Sequence, residues 1–244
     1  MRASRVRRIV LLAFMLFPAL AIPALGEIAS RPEQGPVRIV VLGDSLAEGL
    51  WASLYRRFWR TKGVQIINAA KASTGFNAHP YEDDVEGILR RHRIDLLIVQ
   101  TGANDRQRVL ALDGKSFAFF GTPGWFPLYG QRLTHFLARV QRHRIPVLWV
   151  GLPIMRQAPF DDGMRIISRM HQEHAERHGA VFLDIARFTA DDEGQFVELL
   201  PGPAGRVRRF RHEDGVHFWE YGYDRVAAHV AAVIRARFPG LLPQ

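Results

Sequence analysis

Apolar residues along this chain gather in five short, nearly unbroken runs: Val37–Leu42, Val64–Ala69, Ile94–Thr101, Pro146–Leu152 and Val181–Ile185. Runs of this length that do not alternate with polar residues are what parallel strands look like when both sheet faces are covered. Between and after them the pattern changes period. Over 46–60, 81–92, 128–143, 160–178 and 220–238 the apolar residues recur at helical spacing, as in Leu133, Phe136, Leu137 and Val140, or Val226, Val230, Val233 and Ile234. The alternation predicts an α/β fold, a three-layer α/β/α sandwich around a five-stranded, mostly parallel sheet.

Two stretches break the alternation. Residues 111–127 hold Phe117, Phe119, Phe120, Trp125 and Phe126 among Gly121, Pro123 and Gly124. Residues 188–213 are polar and rich in Pro and Gly. Both follow strands on the side where open α/β sheets bind ligands. For the first, a substrate-shaping lid and an aromatic satellite core are equally open.

The start of the chain divides the sequence further. Arg2, Arg5, Arg7 and Arg8 precede an apolar stretch from Ile9 to Ile22, and Ala24-Leu25-Gly26 supplies the small residues a signal peptidase reads. The stretch is shorter than the roughly 20 residues a membrane span needs. The reading is a signal peptide over 1–26, a lead segment over 27–36 and one folded domain over 37–244, with an uncleaved amphitropic anchor as the rival for the leader. Either way the domain is expected outside the cytoplasm, periplasmic or secreted. The 244 residues include no cysteine, so disulfides, thiolate nucleophiles and Cys-type zinc sites are excluded.

Formal net charge is +9, and four of those charges are the leader arginines. The others cluster as Arg56-Arg57-Arg60, Arg90-Arg91-Arg93 and Arg206-Arg208-Arg209-Arg211. Solvated faces explain them; attraction to an anionic envelope surface, glycan or lipid, is the sharper reading. No nucleic-acid-binding motif is present. Oligomeric state is not legible.

Candidate chemistry lies at strand ends. Gly43-Asp44-Ser45-Leu46 follows the first run, where a sheet enzyme presents a nucleophile; Ser45 fits that role, or that of a helix N-cap. A helix starting there turns backbone N–H groups toward developing negative charge. Asp214-Gly215-Val216-His217 puts a carboxylate and an imidazole three residues apart, a base with its orienting group or a surface histidine beside an acidic turn. Gly75 permits a close backbone approach or simply turns the chain. Asn104 donates to an oxyanion or closes an Asx-turn. Asp44 and Asp105 read as loop-orienting. Arg156, and similarly Arg106 and Gln107, are placed to hold an anionic substrate group or to bond loop carbonyls. His92, His143, His171, His174 and His178 fall on polar helix faces or ends and read as solvated. His174 and His178 lack a nearby acidic partner of the metalloprotease type, so no metal site is expected.

Together Gly43-Asp44-Ser45-Leu46, Gly75, Gly102-Ala103-Asn104-Asp105 and Asp214-Gly215-Val216-His217 resemble the four blocks of the SGNH (GDSL-type) hydrolase superfamily, in order, across 37–238. The phrases Thr101–Gln107, Gly151–Arg156 and Asp214–Phe218 are similar to an exported bacterial branch of unassigned substrate. The resemblance implies a flavodoxin-like sheet and a catalytic Ser45–His217–Asp214 triad. It also implies an oxyanion hole from the Ser45 and Gly75 N–H groups and the Asn104 amide, with no metal or organic cofactor. The implied activity is hydrolysis of acyl esters, with an O-acetylated polysaccharide as the expected partner. An O-acetyltransferase using the same triad and a non-catalytic glycan-binding module are the alternatives.

Overall fold

The computed structural model describes residues 35–202 and 205–243; the signal-peptide reading and most of the lead segment lie outside the described residues. In chain order the strands are β1 (Val37–Gly43), β2 (Val64–Ala70), β3 (Leu96–Gln100), β4 (Val109–Leu110), β5 (Phe117–Ala118), β6 (Val147–Val150), β7 (Val181–Leu183), β8 (Leu199–Pro201) and β9 (Val207–Arg209). The α-helices are α1 (Ser45–Phe58), α2 (Tyr81–Leu89), α3 (Trp125–Arg142), α4 (Ala158–Arg177) and α5 (Glu220–Arg237).

The five apolar runs form one sheet in the order β2-β1-β3-β6-β7, every pairing parallel. Val40, Val41 and Leu42 of β1 and all of β3 are buried, as central strands covered on both faces must be. Helix α1 packs on α5, while α2, α3 and α4 pack in succession. Leu46, Leu50, Leu54 and Phe58 place one buried apolar residue per turn along α1.

Some boundaries move. Helix α3 starts at Trp125 rather than 128, because Pro127 lies in the first turn, where a missing N–H costs nothing. The 111–127 stretch contains the antiparallel β4–β5 pair. Its aromatic residues divide: Trp125 is buried, stacked on Tyr129 at 4.4 Å and met edge-on by Phe120 at 4.9 Å, whereas Phe117, Phe119 and Phe126 are exposed. The 188–213 stretch carries the β8–β9 hairpin.

The chain leaves β1 for β2 on one side and reaches β3 on the other, so the carboxyl ends of β1 and β3 frame the crevice where such sheets bind ligands. The two strands meet closely there. Gly43 has φ +143°, and a Cβ on it would lie 1.8 Å from the Gln100 carbonyl oxygen. Asp44 follows, fully buried. It caps α1, its Oδ1 accepting from Leu46 N–H at 2.9 Å. Its Oδ2 accepts from Gly102 N–H at 3.0 Å and Ala103 N–H at 3.2 Å, the loop after β3. The capping role open to Ser45 therefore belongs to Asp44, and Ser45 is the first helical residue.

Burial pushes the Asp44 carboxyl up to about 7, with the negative charge of Asp105 adding to it and the three amide donors opposing. A carboxyl whose pKa is higher folded than unfolded binds more protons in the native state, so its contribution to stability falls as pH rises from about 4 through about 7. Urea midpoints at pH 5 and pH 8 are expected to differ in that direction, and by less in Asp44→Asn; an equal difference in both proteins refutes the assignment. Gly43→Ala is expected to cost about 3 kcal/mol or more, since neither its φ nor the Gln100 backbone can yield cheaply. An unchanged urea midpoint would show that the β1–β3 approach relaxes freely.

Candidate active site

Ser45 begins α1 at the carboxyl end of β1, and the chain brings residues 172 positions away against it. His217 Nε2 lies 2.7 Å from Ser45 Oγ, and His217 Nδ1 lies 2.7 Å from Asp214 Oδ2. The carboxylate is also built into its own turn: Asp214 Oδ1 accepts from the N–H groups of Val216 at 2.8 Å and His217 at 2.9 Å. Partial burial raises the Asp214 carboxyl. The Val216 and His217 amides and the His217 ring outweigh that and hold it well below the usual carboxylate range. It is thus ionised wherever the imidazole works, which fixes the Nδ1–H tautomer and leaves Nε2 to accept from Ser45.

Gly215 allows this turn. Its φ is +76°, and a Cβ there would lie 2.5 Å from Arg156 Cβ. Arg156 N–H in turn donates to the Gly215 carbonyl at 3.1 Å. The loop is anchored below by Arg211, which is buried rather than solvated as its cluster suggested. Its guanidinium donates to the carbonyls of Val216 at 2.8 Å, His217 at 3.2 Å and Ile154. Burial lowers Arg211 to about 10, still charged at neutral pH.

The donor side of the crevice is assembled by the second buried carboxylate. Asp105 accepts from Asn77 N–H at 3.0 Å, Phe76 N–H at 3.3 Å and the Tyr129 hydroxyl at 2.6 Å. Burial pushes it up to about 6 against those bonds and the nearby Arg132 charge. Its approach dictates the residue at 75, because a Cβ on Gly75 would lie 2.0 Å from Asp105 Oδ1. Asn104 Nδ2 donates one hydrogen to the Thr74 carbonyl at 2.9 Å, which leaves the amide's second hydrogen available. Tyr81, fully buried, joins the loops at 2.8 Å from Thr74 Oγ1 and 3.0 Å from Thr101 Oγ1. Arg132, also buried, donates to the carbonyls of Phe76, His79 and Leu110. Asp44 and Asp105 are loop-orienting groups, as their sequence context indicated.

The arginines offered for substrate are engaged elsewhere. Arg156 is ion-paired with Glu198 and stacks over Phe196 at 5.0 Å. Arg106 lies against Gly163 of α4 and over Phe120 at 6.0 Å, and Gln107 donates to the Asn104 carbonyl at 2.9 Å. His171, expected in solvent, is fully buried among Phe76, Tyr129 and Trp149. The periodicity holds the signal: Met164, Ile167, His171 and Ala175 are spaced 3, 4 and 4 residues apart, on one buried face of α4. Tyr129 belongs in the same way to the stripe of Trp125, Leu133, Phe136 and Val140 on α3. Among the described residues no group of three or more His, Cys, Asp or Glu side chains is arranged to hold a metal.

A family model described as a protein of unknown function (DUF459) matches residues 38–233. No curated protein matches the chain. Several solved structures share its fold. A GDSL-like lipase from Bacteroides thetaiotaomicron is 15% identical, with 82% of this chain and 88% of that one covered at a TM-score of 0.57. A lipase/acylhydrolase from Enterococcus faecalis is 18% identical, with 82% and 96% covered at 0.56. An acetyl xylan esterase is 16% identical, with 81% and 100% covered at 0.59. The match spans both the Ser45 and the His217 loops, and the chain belongs to the DUF459 family, with the fold of the GDSL-type structures it resembles.

Proposed function

We propose that the protein is an exported serine esterase that removes acyl groups, O-acetyl above all, from a cell-envelope or secreted polysaccharide. The observation that carries this reading is the continuous hydrogen-bonded line from Ser45 Oγ through His217 to Asp214, 2.7 Å at each step. His217 Nε2 takes the hydroxyl proton as Ser45 Oγ attacks the ester carbonyl. The oxygen that becomes negative is met by the N–H groups of Ser45 and Gly75 and the free hydrogen of Asn104. The same imidazole then gives its proton to the departing alcohol, leaving an acyl-enzyme. Water, deprotonated by His217, releases the acid and restores Ser45.

The openness of the triad supports a polymeric substrate. The side chains of His217 and Asp214 are 34% and 40% exposed, so an ester projecting from a larger molecule reaches Ser45 without entering a deep slot. The acetyl xylan esterase of like fold acts by name on such a substrate. The basic, apolar leader supports export.

A fluorophosphonate is expected to modify wild-type protein at Ser45 and to leave Ser45→Ala unmodified, by intact mass. An unreactive wild type would favour a glycan-binding module. Asn104→Ala is expected to lower kcat on an aryl acetate by about 100- to 1000-fold with little change in KM, the usual cost of one oxyanion donor; a change confined to KM would remove Asn104 from that role. Incubating acetylated xylan with the enzyme is expected to release acetate into water. Acetyl transfer to a second glycan in place of acetate release would reassign the triad to a transferase.

A further inference from the structure

Beneath the loop after β3 lies a buried polar chain that the ester chemistry does not itself use. Tyr129 on α3 donates its hydroxyl hydrogen to Asp105 Oδ2 at 2.6 Å. Its oxygen also lies 2.7 Å from His171 Nε2 on α4. A tyrosine has one hydrogen to give, so Nε2 carries the proton here and donates to the Tyr129 oxygen. The other ring nitrogen fits this tautomer. His171 Nδ1 is buried without a partner, and a bare acceptor there is cheaper than an orphaned N–H. Burial lowers His171 to about 3, so the ring is neutral.

All three residues are fully enclosed, Asp105, Tyr129 and His171 each showing 0% exposure. The chain ends on both donor loops at once. Asp105 takes the Phe76 and Asn77 amides next to Gly75 and directly follows Asn104. The His171 ring also fills the space under Gly102, where an added Cβ would come within 2.9 Å of its Cε1. Such an arrangement costs the fold polar burial in a place where apolar side chains would pack as well. Its geometric product is a fixed position for Asp105, and through it for Gly75 and Asn104.

We propose that Tyr129 and His171 are positioning residues for the oxyanion hole, acting through Asp105 to set the Gly75 N–H and the Asn104 amide against the reacting carbonyl. The inference rests on the serine esterase reading. A displacement of these donors by a fraction of an ångström lowers transition-state stabilisation and leaves ground-state binding nearly intact. Tyr129→Phe retains the ring and removes the link. His171→Gln keeps an N–H near the Nε2 position, whereas His171→Leu does not.

Steady-state hydrolysis of an aryl acetate and the rate of fluorophosphonate modification at Ser45 are measured for wild type and each variant, with urea midpoints alongside. Tyr129→Phe and His171→Leu are expected to lose about 10-fold or more in kcat with KM within about twofold, and His171→Gln to stay within about threefold of wild type. In an Asn104→Ala background, where the main donor is gone, Tyr129→Phe is expected to cost less than about threefold more, because the two act through one feature. Lower urea midpoints with kcat unchanged overturn the proposal, as does a full additive loss in the Asn104→Ala background. A wild type that neither hydrolyses ester nor reacts with the fluorophosphonate refutes the esterase reading instead, and with it this one. Should Tyr129→Phe fail to fold, the contrast between His171→Gln and His171→Leu decides: equal kcat in both overturns the role.

Discussion

Two buried carboxylates hold the crevice of this protein together. Asp44 gathers amides from α1 and from the loop after β3; Asp105 gathers amides from the loop after β2 and a hydroxyl from α3. Among the described residues neither is hydrogen-bonded to a cation, so each is stabilised chiefly by oriented N–H and O–H dipoles, with the Arg132 charge nearby adding to those at Asp105. Backbone donors cannot rotate away as side chains do. A carboxylate that satisfies several of them therefore helps fix the relative position of the loops it joins, together with the Tyr81 and Asn104 bonds. The cost is borne in their protonation, since burial drives both carboxyls upward and their mutual repulsion adds to it at Asp44.

This explains why glycine occupies two of the strand-end positions. Gly43 lets β1 close on the Gln100 backbone, and Gly75 leaves room for Asp105 itself. At both places the missing side chain serves the approach of another group, and the loops can be tied so tightly only because nothing stands between them. The Ser45–His217–Asp214 line is supported differently. Its histidine loop is held by a buried guanidinium, Arg211, that reaches three carbonyls, one of them 57 residues away in sequence.

Much of this was legible in the chain. The five strands and their parallel pairing follow from apolar runs covered on both faces, and Ser45, Asp214 and His217 stand in short local patterns whose geometry is set by a turn. The loop-orienting role of Asp44 and Asp105 was also readable from their place at strand ends. What escaped was polar chemistry inside the core. Tyr129, His171 and Arg132 lie on helix faces otherwise marked by apolar spacing, and the polarity of His171 pointed to solvent where the periodicity of α4 indicated burial. Arg211 was hidden by its neighbours, because three exposed arginines in the same run made it look like one more. Long-range partners cannot be read from either signal alone: the Ile154 carbonyl that Arg211 meets belongs to a different strand end.

The Asp214 turn has a consequence for how the His217 imidazole is held. The imidazole and the carboxylate share four consecutive residues, and the one carboxylate steers the ring through Oδ2 while closing the turn through Oδ1. The imidazole and its carboxylate therefore keep their mutual geometry as long as the turn is closed, and within the Ser45–His217–Asp214 line the one contact that spans two elements is that from the ring to the hydroxyl at the start of α1.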